Sequence, residues 1–532
     1  MRVIGTILAA ATIFSLFIFN PQKLRANQEN QFITIVNPVR ISSYTPDPAA
    51  SLKAEYSVIQ RYSLPATWLL TYDAIDHQGI SSLIKRMEKT QEVGIFLEVS
   101  PRLAEVAGVN YNNSGSWHFA NSLFLSGYTQ EERIKLVDKV FKKFKETFGY
   151  YPTSVGSWWT DSFSLAYMKE KYSISANLGV SDQFSTDGYQ IWGQYWSTPY
   201  YPSKTHAGVP ANSLGGKLDI VTIQWAPRDP LNGYESSLYS TQDYRTKPDL
   251  PTEYFEQLVR LYASRGENEF GQVTVGLEGD FTPEVYQSEY AKQMAIVSTL
   301  ADTGRYQVTN MREFSNWYRK TFPEFSPPQQ IESDDLLGED KKVVWYQSPH
   351  YRLGYVLDSS TGELRIRDFR VYGANLVEPY YQSPNRDMKL SIYIPSVFDE
   401  VNYEKDYWVL PKGSEIVFKE DKIIIKIKKT DQPRMLQKYP NLRIKKLADG
   451  IEISFTDKLG IPVEGVSIKD YSAEAVHFFR QKKAFFYLLT GKGWNYFKKV
   501  DYIIPQGEIY ALFRLSTIPA SRVLVDNNEC LQ

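Results

Sequence analysis

The chain has 532 residues, more than one ordinary domain, and its hydrophobic (42%) and charged (23%) fractions are those of a folded globular protein. Lys and Arg number 60 against 61 Asp and Glu, a net charge of −1, which excludes the basic field that a nucleic-acid partner would need. The one cysteine, Cys530, excludes an intrachain disulfide and a cysteine-based metal site, so stability must come from core size.

At the N-terminus Met1 and Arg2 precede VIGTILAAATIFSLFIF, 17 apolar or small residues. That length suits a signal-peptide core or a short membrane anchor. Leu24-Arg25-Ala26 offers only one of the two small residues that cleavage needs. An uncleaved anchor within residues 1–28 is therefore favoured over a removed signal. Either way the remaining chain is expected outside the cytoplasm, with the membrane met only through this segment.

From residue 32 short apolar runs alternate with amphipathic stretches. The runs are FITIV (32–36), ATWLLTY (66–72), VGIFLEV (93–99), SVGSWW (154–159), ISANLGV (174–180), LDIVTIQWA (218–226) and QVTVGL (272–277), with a weaker eighth at YQVTN (306–310). Between them, 129–148 reads as a helix, because Ile134, Val137, Phe141, Phe144 and Phe148 recur at spacings of three and four. Helices are also expected over 251–265, opened by Pro251, and over 282–302, after Thr282-Pro283. Nearly continuous apolar strands alternating with helices predict an α/β fold, a parallel sheet covered by helices. Seven or eight such units predict a (β/α) barrel spanning 29–323. The Pro-rich, acidic segment 324–342 reads as a linker. Short strands with turn signals follow, predicting an all-β sandwich over 343–515 and a tail over 516–532.

In such barrels chemistry gathers where the strands end. The strand ends here supply Arg40, Asp73, Glu98, Asp161, Asp182, Arg228 with Asp229, and Glu278 with Asp280. Unpaired carboxylates rarely bury, so a ring of them is either functional or held by internal ion pairs. Asp161 before SFSLAYM and Asp280 before FTPEVYQ also suit helix caps, and Arg228 with Asp229 also suits a structural pair. Tryptophans Trp158, Trp159 and Trp225 sit at the same rim. The long segment 183–216 adds Tyr189, Trp192, Tyr195, Trp196, Tyr200 and Tyr201. These rings suit either a wall on which sugars stack or the self-packing of a large loop.

Leu64-Pro65-Ala66-Thr67-Trp68-Leu69 resembles the "pATFF" strand of polysaccharide deacetylases, and Glu92-Val93-Gly94-Ile95-Phe96-Leu97-Glu98-Val99-Ser100 is similar to their E-x-G-x-H-x-x-x-H segment. Thr153-Ser154-Val155-Gly156-Ser157-Trp158 sits where their third motif falls. Over residues 32–320 the resemblance implies the barrel shared by the deacetylases and several glycoside hydrolases. The following β region resembles their mutarotase-like domains. The departures concern chemistry. The deacetylases bind a divalent metal through one Asp and two His, whereas here the His positions hold Phe96 and Ser100 and the first-strand Asp pair is replaced by Asn37-Pro38. The five histidines (His77, His118, His206, His350, His477) lie far apart in sequence, so no metal or other cofactor is expected. His77, four residues after Asp73, suits a surface loop or the rim.

Carboxylate pairs remain. The related hydrolases place theirs after strands four and seven, which implies Asp161 as nucleophile or base and Glu278 as acid or base, with Asp280 and Glu98 in reserve. Arg40, Asp73, Asp182, Arg228 and Asp229 would then bind hydroxyls or orient the pair. A metal-independent glycoside hydrolase is the leading expectation. A silent glycan-binding barrel and a divergent deacetylase are the alternatives.

Overall fold

A computed structural model describes residues 30–42, 47–279, 282–372, 376–403, 406–410 and 412–426, and beyond these the strands Leu442–Lys446, Gly450–Phe455, Phe479–Gln481, Ala484–Thr490, Gly493–Asn495, Asp501–Gln506 and Ile509–Arg514. The expected leader, the tail and Cys530 lie outside the described residues. Among those residues no helix is long and apolar enough to cross a membrane.

The parallel sheet comprises β1 (Gln31–Val39), β2 (Thr67–Leu70), β3 (Glu92–Phe96), β4 (Ser154–Gly156), β5 (Ala176–Val180), β6 (Val221–Trp225), β7 (Gly271–Val275) and β8 (Gln307–Thr309). The strand order is β6-β5-β4-β3-β2-β1-β7, with β8 also paired to β1. β6 and β7, the two ends of that order, lie against each other and bring the sheet close to a barrel. All nine residues of β1 are buried, as a strand covered on both faces requires. The α/β barrel read from the runs is thus the fold, and the weak eighth run is a strand.

The helices form where amphipathic spacing placed them. Gln130–Phe148 opens with a capping box, in which the Thr129 hydroxyl accepts from the Glu132 N–H and Glu132 reaches back to the Thr129 N–H. It buries Val137, Phe141 and Phe144 and ends at Gly149 with φ 89°. Glycine also sets the strand spacing. A Cβ on Gly94 would collide with the Ser154 carbonyl of the neighbouring strand and with Leu69, which accounts physically for the Gly of the E-x-G segment.

Residues 324–342 are not a bare linker. They contain the strand Gln329–Asp334, paired antiparallel with Lys341–Gln347. Gln329, Ile331 and Ser333 are buried while Glu332 and Asp334 are exposed, a period of two that the Pro- and acid-rich composition concealed. Tyr351–Asp358, Glu363–Val371, Ser396–Asp399 and Trp408–Leu410 complete a six-stranded sheet. Its core, including Tyr346, Leu353, Ile366 and Phe369, is shared with Ile423, Ile425 and Ile453 of a four-stranded antiparallel sheet.

Segment 183–216 joins the two regions. Its strand Tyr189–Trp192 runs parallel to Leu390–Tyr393. Trp196 stacks on Trp345 with centroids 4.1 Å apart and planes within 1°. Tyr189, Trp192, Tyr195, Trp196, Tyr200 and Tyr201 are all buried. Trp192, Tyr195, Trp196 and Tyr200 form core against the β region, Tyr201 packs on Tyr318 of the barrel and Tyr189 on Phe124, so the six do not line an open cleft.

Candidate active site at the barrel mouth

A cavity of ≈ 230 Å³ opens at the C-terminal ends of β1, β2 and β3. Arg40 and Ile41 line it from β1, Thr71 and Asp73 from β2, Glu98 and Ser100 from β3, and Tyr111 and Trp117 from the loop that follows. This is the end of a parallel barrel at which strand termini converge on one space.

Each polar group is held by local structure. Thr71 caps the short helix Tyr72–Asp76, placing Asp73 on its first turn. Burial raises the Asp73 carboxyl above its ordinary 3.8; the Ser100 hydroxyl, bonded to it, opposes this, and the charge of Asp76 adds to it. Ser100 in turn caps the helix Pro101–Ala107, accepting from the Leu103 N–H at 3.1 Å. Arg40 donates from Nε to Glu98 Oε2 at 2.9 Å and pairs through Nη1 with Glu278. Its guanidinium lies 4.8 Å from the centre of the Trp117 ring. Side-chain exposures of 5% for Arg40, 9% for Glu98 and 30% for Glu278 run from the wall outward to the rim.

The turn that brings Glu278 there depends on two further groups. Gly276 has φ 153°, and a Cβ on it would collide with the Val36 carbonyl. Asn37 Oδ1 accepts from the Leu277 N–H at 2.9 Å and from the Tyr290 hydroxyl at 3.1 Å.

The other expected residues lie elsewhere. Asp161 is fully buried, caps the helix Ser162–Tyr172 through the Ser164 N–H, and is paired with an equally buried Arg133 at 2.9 Å. It faces no open space, so the role of nucleophile expected for it does not fit its surroundings. Asp182, at the end of β5, is bound by Arg352 at 2.6 Å. Burial raises its carboxyl above the usual value against the pull of that guanidinium. Arg228 and Asp229 do not pair with each other. Arg228, pulled down to about 10 by burial, donates to the Asp182 and Ser237 carbonyls. Asp229 accepts from the Leu231 and Asn232 N–H groups and from the Tyr254 hydroxyl. Trp225 is buried against Trp158, which packs on Phe96, and Trp159 is buried beside His206. None of the three tryptophans lines the cavity. Asp280 lies outside the described residues. His77 caps the helix Gln78–Ile84.

Of the expected ring, then, Arg40, Asp73 and Glu98 line the cavity, and Glu278 meets Arg40 beside it. Tyr111 and Trp117 were missed. The only signal for them was an aromatic within the Asn-, Ser- and Gly-rich stretch 110–118, whose approach to the mouth is a matter of tertiary packing.

The deacetylase metal does not fit these residues. Phe96 has no donor and is buried against Trp158, 4.9 Å between centroids. The Asn37 oxygen is already bonded twice, and Ser100 is occupied by Leu103 and Asp73. Arg40 adds a fixed positive charge. Among the described residues no three His, Cys, Asp or Glu side chains assemble as a ligand set.

The fold is shared with a solved structure of a protein described as of glycoside hydrolase/deacetylase type. In particular, it is similar to a Parabacteroides distasonis protein of glycoside hydrolase/deacetylase type, at 15% identity and a TM-score of 0.54 over 71% of this chain and 93% of that one. The peptidoglycan deacetylase PdaC of Bacillus subtilis aligns over 56% of this chain and 96% of its own, at 14% identity and a TM-score of 0.28. No family model and no curated protein sequence matches the chain.

Proposed function

We propose that the chain is a carbohydrate-active hydrolase acting outside the cytoplasm, with its reaction carried by carboxylates at the barrel mouth and not by a metal. One observation carries this reading: a single cavity brings together Asp73, whose carboxyl is raised by burial, and Glu98, held in an ion pair by Arg40. Environments that differ in this way divide acid from base. Asp73 supplies the proton to the leaving oxygen. Glu98, oriented by Arg40, acts as base or nucleophile. Tyr111 and Trp117 offer faces for a sugar ring. At ≈ 230 Å³ the cavity is smaller than the roughly 300–1,000 Å³ of drug-sized pockets, which suits one sugar ring at a time. Similarity to the Parabacteroides protein supports the class of reaction, and the apolar run 3–19 supports export.

The test is hydrolysis of a panel of cell-surface and extracellular glycans by the purified protein and by Asp73→Asn and Glu98→Gln. Each variant is expected to lose about 10²- to 10⁴-fold in kcat, the range for a lost general acid or base. Full activity in both would overturn the assignment.

A second reading, glycan recognition without cleavage, is favoured by one feature. Glu98 and Glu278 share Arg40, while Asp161, Asp182 and Asp229 are consumed by caps and pairs. Retention of a glycan by the wild-type protein with no released product would select it.

A further inference from the structure

The described residues 109–119 form neither helix nor strand, and they deliver Tyr111 and Trp117 to the cavity. Such a segment needs ties to firmer structure to keep one conformation. Here the ties lead to the β region. Its turn 385–389 is folded by the fully buried Asn385, whose side-chain oxygen accepts from the Asp387 N–H at 2.9 Å and whose side-chain amide donates to the Lys389 carbonyl at 2.9 Å. So shaped, the turn meets the barrel. The Asn385 N–H donates to the Ser126 carbonyl at 2.8 Å, and the Met388 carbonyl accepts from the Ala120 N–H at 2.9 Å. The Arg386 carbonyl accepts from the Asn121 side-chain amide at 3.3 Å. That amide has two N–H donors, and it also donates to Ser114 Oγ at 2.7 Å, inside the segment that carries the rings. On the other side of Trp117 the Tyr189 hydroxyl donates to the His118 carbonyl. Tyr189 lies on the strand paired with Leu390–Tyr393, directly after the turn. Trp117 thus stands between two anchored neighbours, Ser114 and His118, and the Tyr111 hydroxyl is bonded to Ser122, next to Asn121.

We propose, resting on the carbohydrate reading above, that the turn 385–389 of the β region is a positioning element of the sugar site: through Asn121 and Tyr189 it holds Tyr111 and Trp117 where a sugar ring meets them. The β region then serves binding and not the chemical step, because these ties reach the aromatic segment, whereas Asp73 and Glu98 follow directly on the barrel strands β2 and β3.

Amide hydrogen exchange of the full chain tests the tie, and kinetics test its purpose. The variants are Asn385→Ala, which unmakes the turn, and Tyr189→Phe, which removes only a hydroxyl; should the first not fold, the second decides. In each, amides of residues 110–118 are expected to exchange at least about twofold faster than in the wild type, while those of β1 and β2 keep their rates. On the panel glycan that the wild type cleaves, KM should rise about two- to tenfold, the factor one ordinary hydrogen bond gives, with kcat unchanged. For a glycan held without cleavage, Kd should rise by the same factor. Unchanged exchange over 110–118, or exchange that quickens equally in β1 and β2, overturns the tie. An unchanged KM, or a fall in kcat at constant KM, overturns the positioning role. In all these cases the carbohydrate reading stands. A panel of which the wild type neither binds nor cleaves any member overturns that reading and the positioning role with it, whatever the exchange shows.

Discussion

At the residue scale the mouth and the interior treat carboxylates in opposite ways. Asp73 keeps access to the cavity at the cost of partial desolvation, and its pKa is raised above the ordinary 3.8. A raised carboxyl contributes stability that is complete below its unfolded pKa and is lost as pH rises through its folded one. Asp73→Asn, which cannot ionise, is therefore expected to melt higher than the wild type, with a larger gain near pH 7 than near pH 4, while hydrolysis is lost. Thermal unfolding at the two pH values checks this, and a lower Tm at pH 7 would contradict it. Asp161 presents the contrary case. Both it and Arg133 have side-chain exposures of 0%. Arg133→Met leaves a buried charge without its partner and is expected to cost about 3–5 kcal/mol in denaturant unfolding. From the sequence, Asp161 was expected as nucleophile or base, with a helix cap as the alternative. Arg133 decides between them, and nothing local links residues that stand 28 positions apart.

At the scale of elements, periodicity was a sound guide wherever a segment packs by its own pattern. The helix Gln130–Phe148 and the seven strong apolar runs form where their spacing places them. Segment 183–216 does not pack by its own pattern. Its aromatics are equally suited to a cleft wall and to a core, and the answer lies in strands far along the chain. Trp345, which stacks on Trp196 and donates from its indole N–H to the Pro230 carbonyl at 2.8 Å, is one such partner. Trp345→Ala is expected to cost about 3–5 kcal/mol, as other buried aromatic truncations do. Equilibrium unfolding measures it. A loss below about 1 kcal/mol would mean that the stack is not part of the cooperative core.

At the scale of the whole molecule, barrel and β region are joined by buried charge. Arg352 bridges Asp182 of the barrel and Asp368 of the six-stranded sheet, and Arg370 continues to Asp399, all at 0% exposure. Glu378 crosses the same boundary, accepting from the Ser162 and Ala207 N–H groups. Burial, reinforced by the charge of Asp161, pushes its carboxyl from 4.5 up to about 8 against those two donors. The sign follows: the folded protein binds this proton more tightly, so stability falls with rising pH between 4.5 and about 8 and levels off above. Glu378→Gln should flatten that slope in chemical denaturation across this range, and an unchanged slope would exclude Glu378 as its source. The barrel produced alone, residues 28–323, is expected to aggregate or to unfold without cooperativity. It would expose Trp192 and Trp196 and leave Asp182 without Arg352.

The sequence by itself determined the barrel, the absence of His at positions 96 and 100 and the presence of carboxylates at the strand ends. Apolar spacing and residue type are local properties, readable one segment at a time. Only the tertiary structure decided which carboxylates reach open space. Whether Asp161, Asp182 or Asp73 meets solvent depends on an arginine or a backbone amide delivered from elsewhere in the chain, and desolvation makes each such pairing decisive.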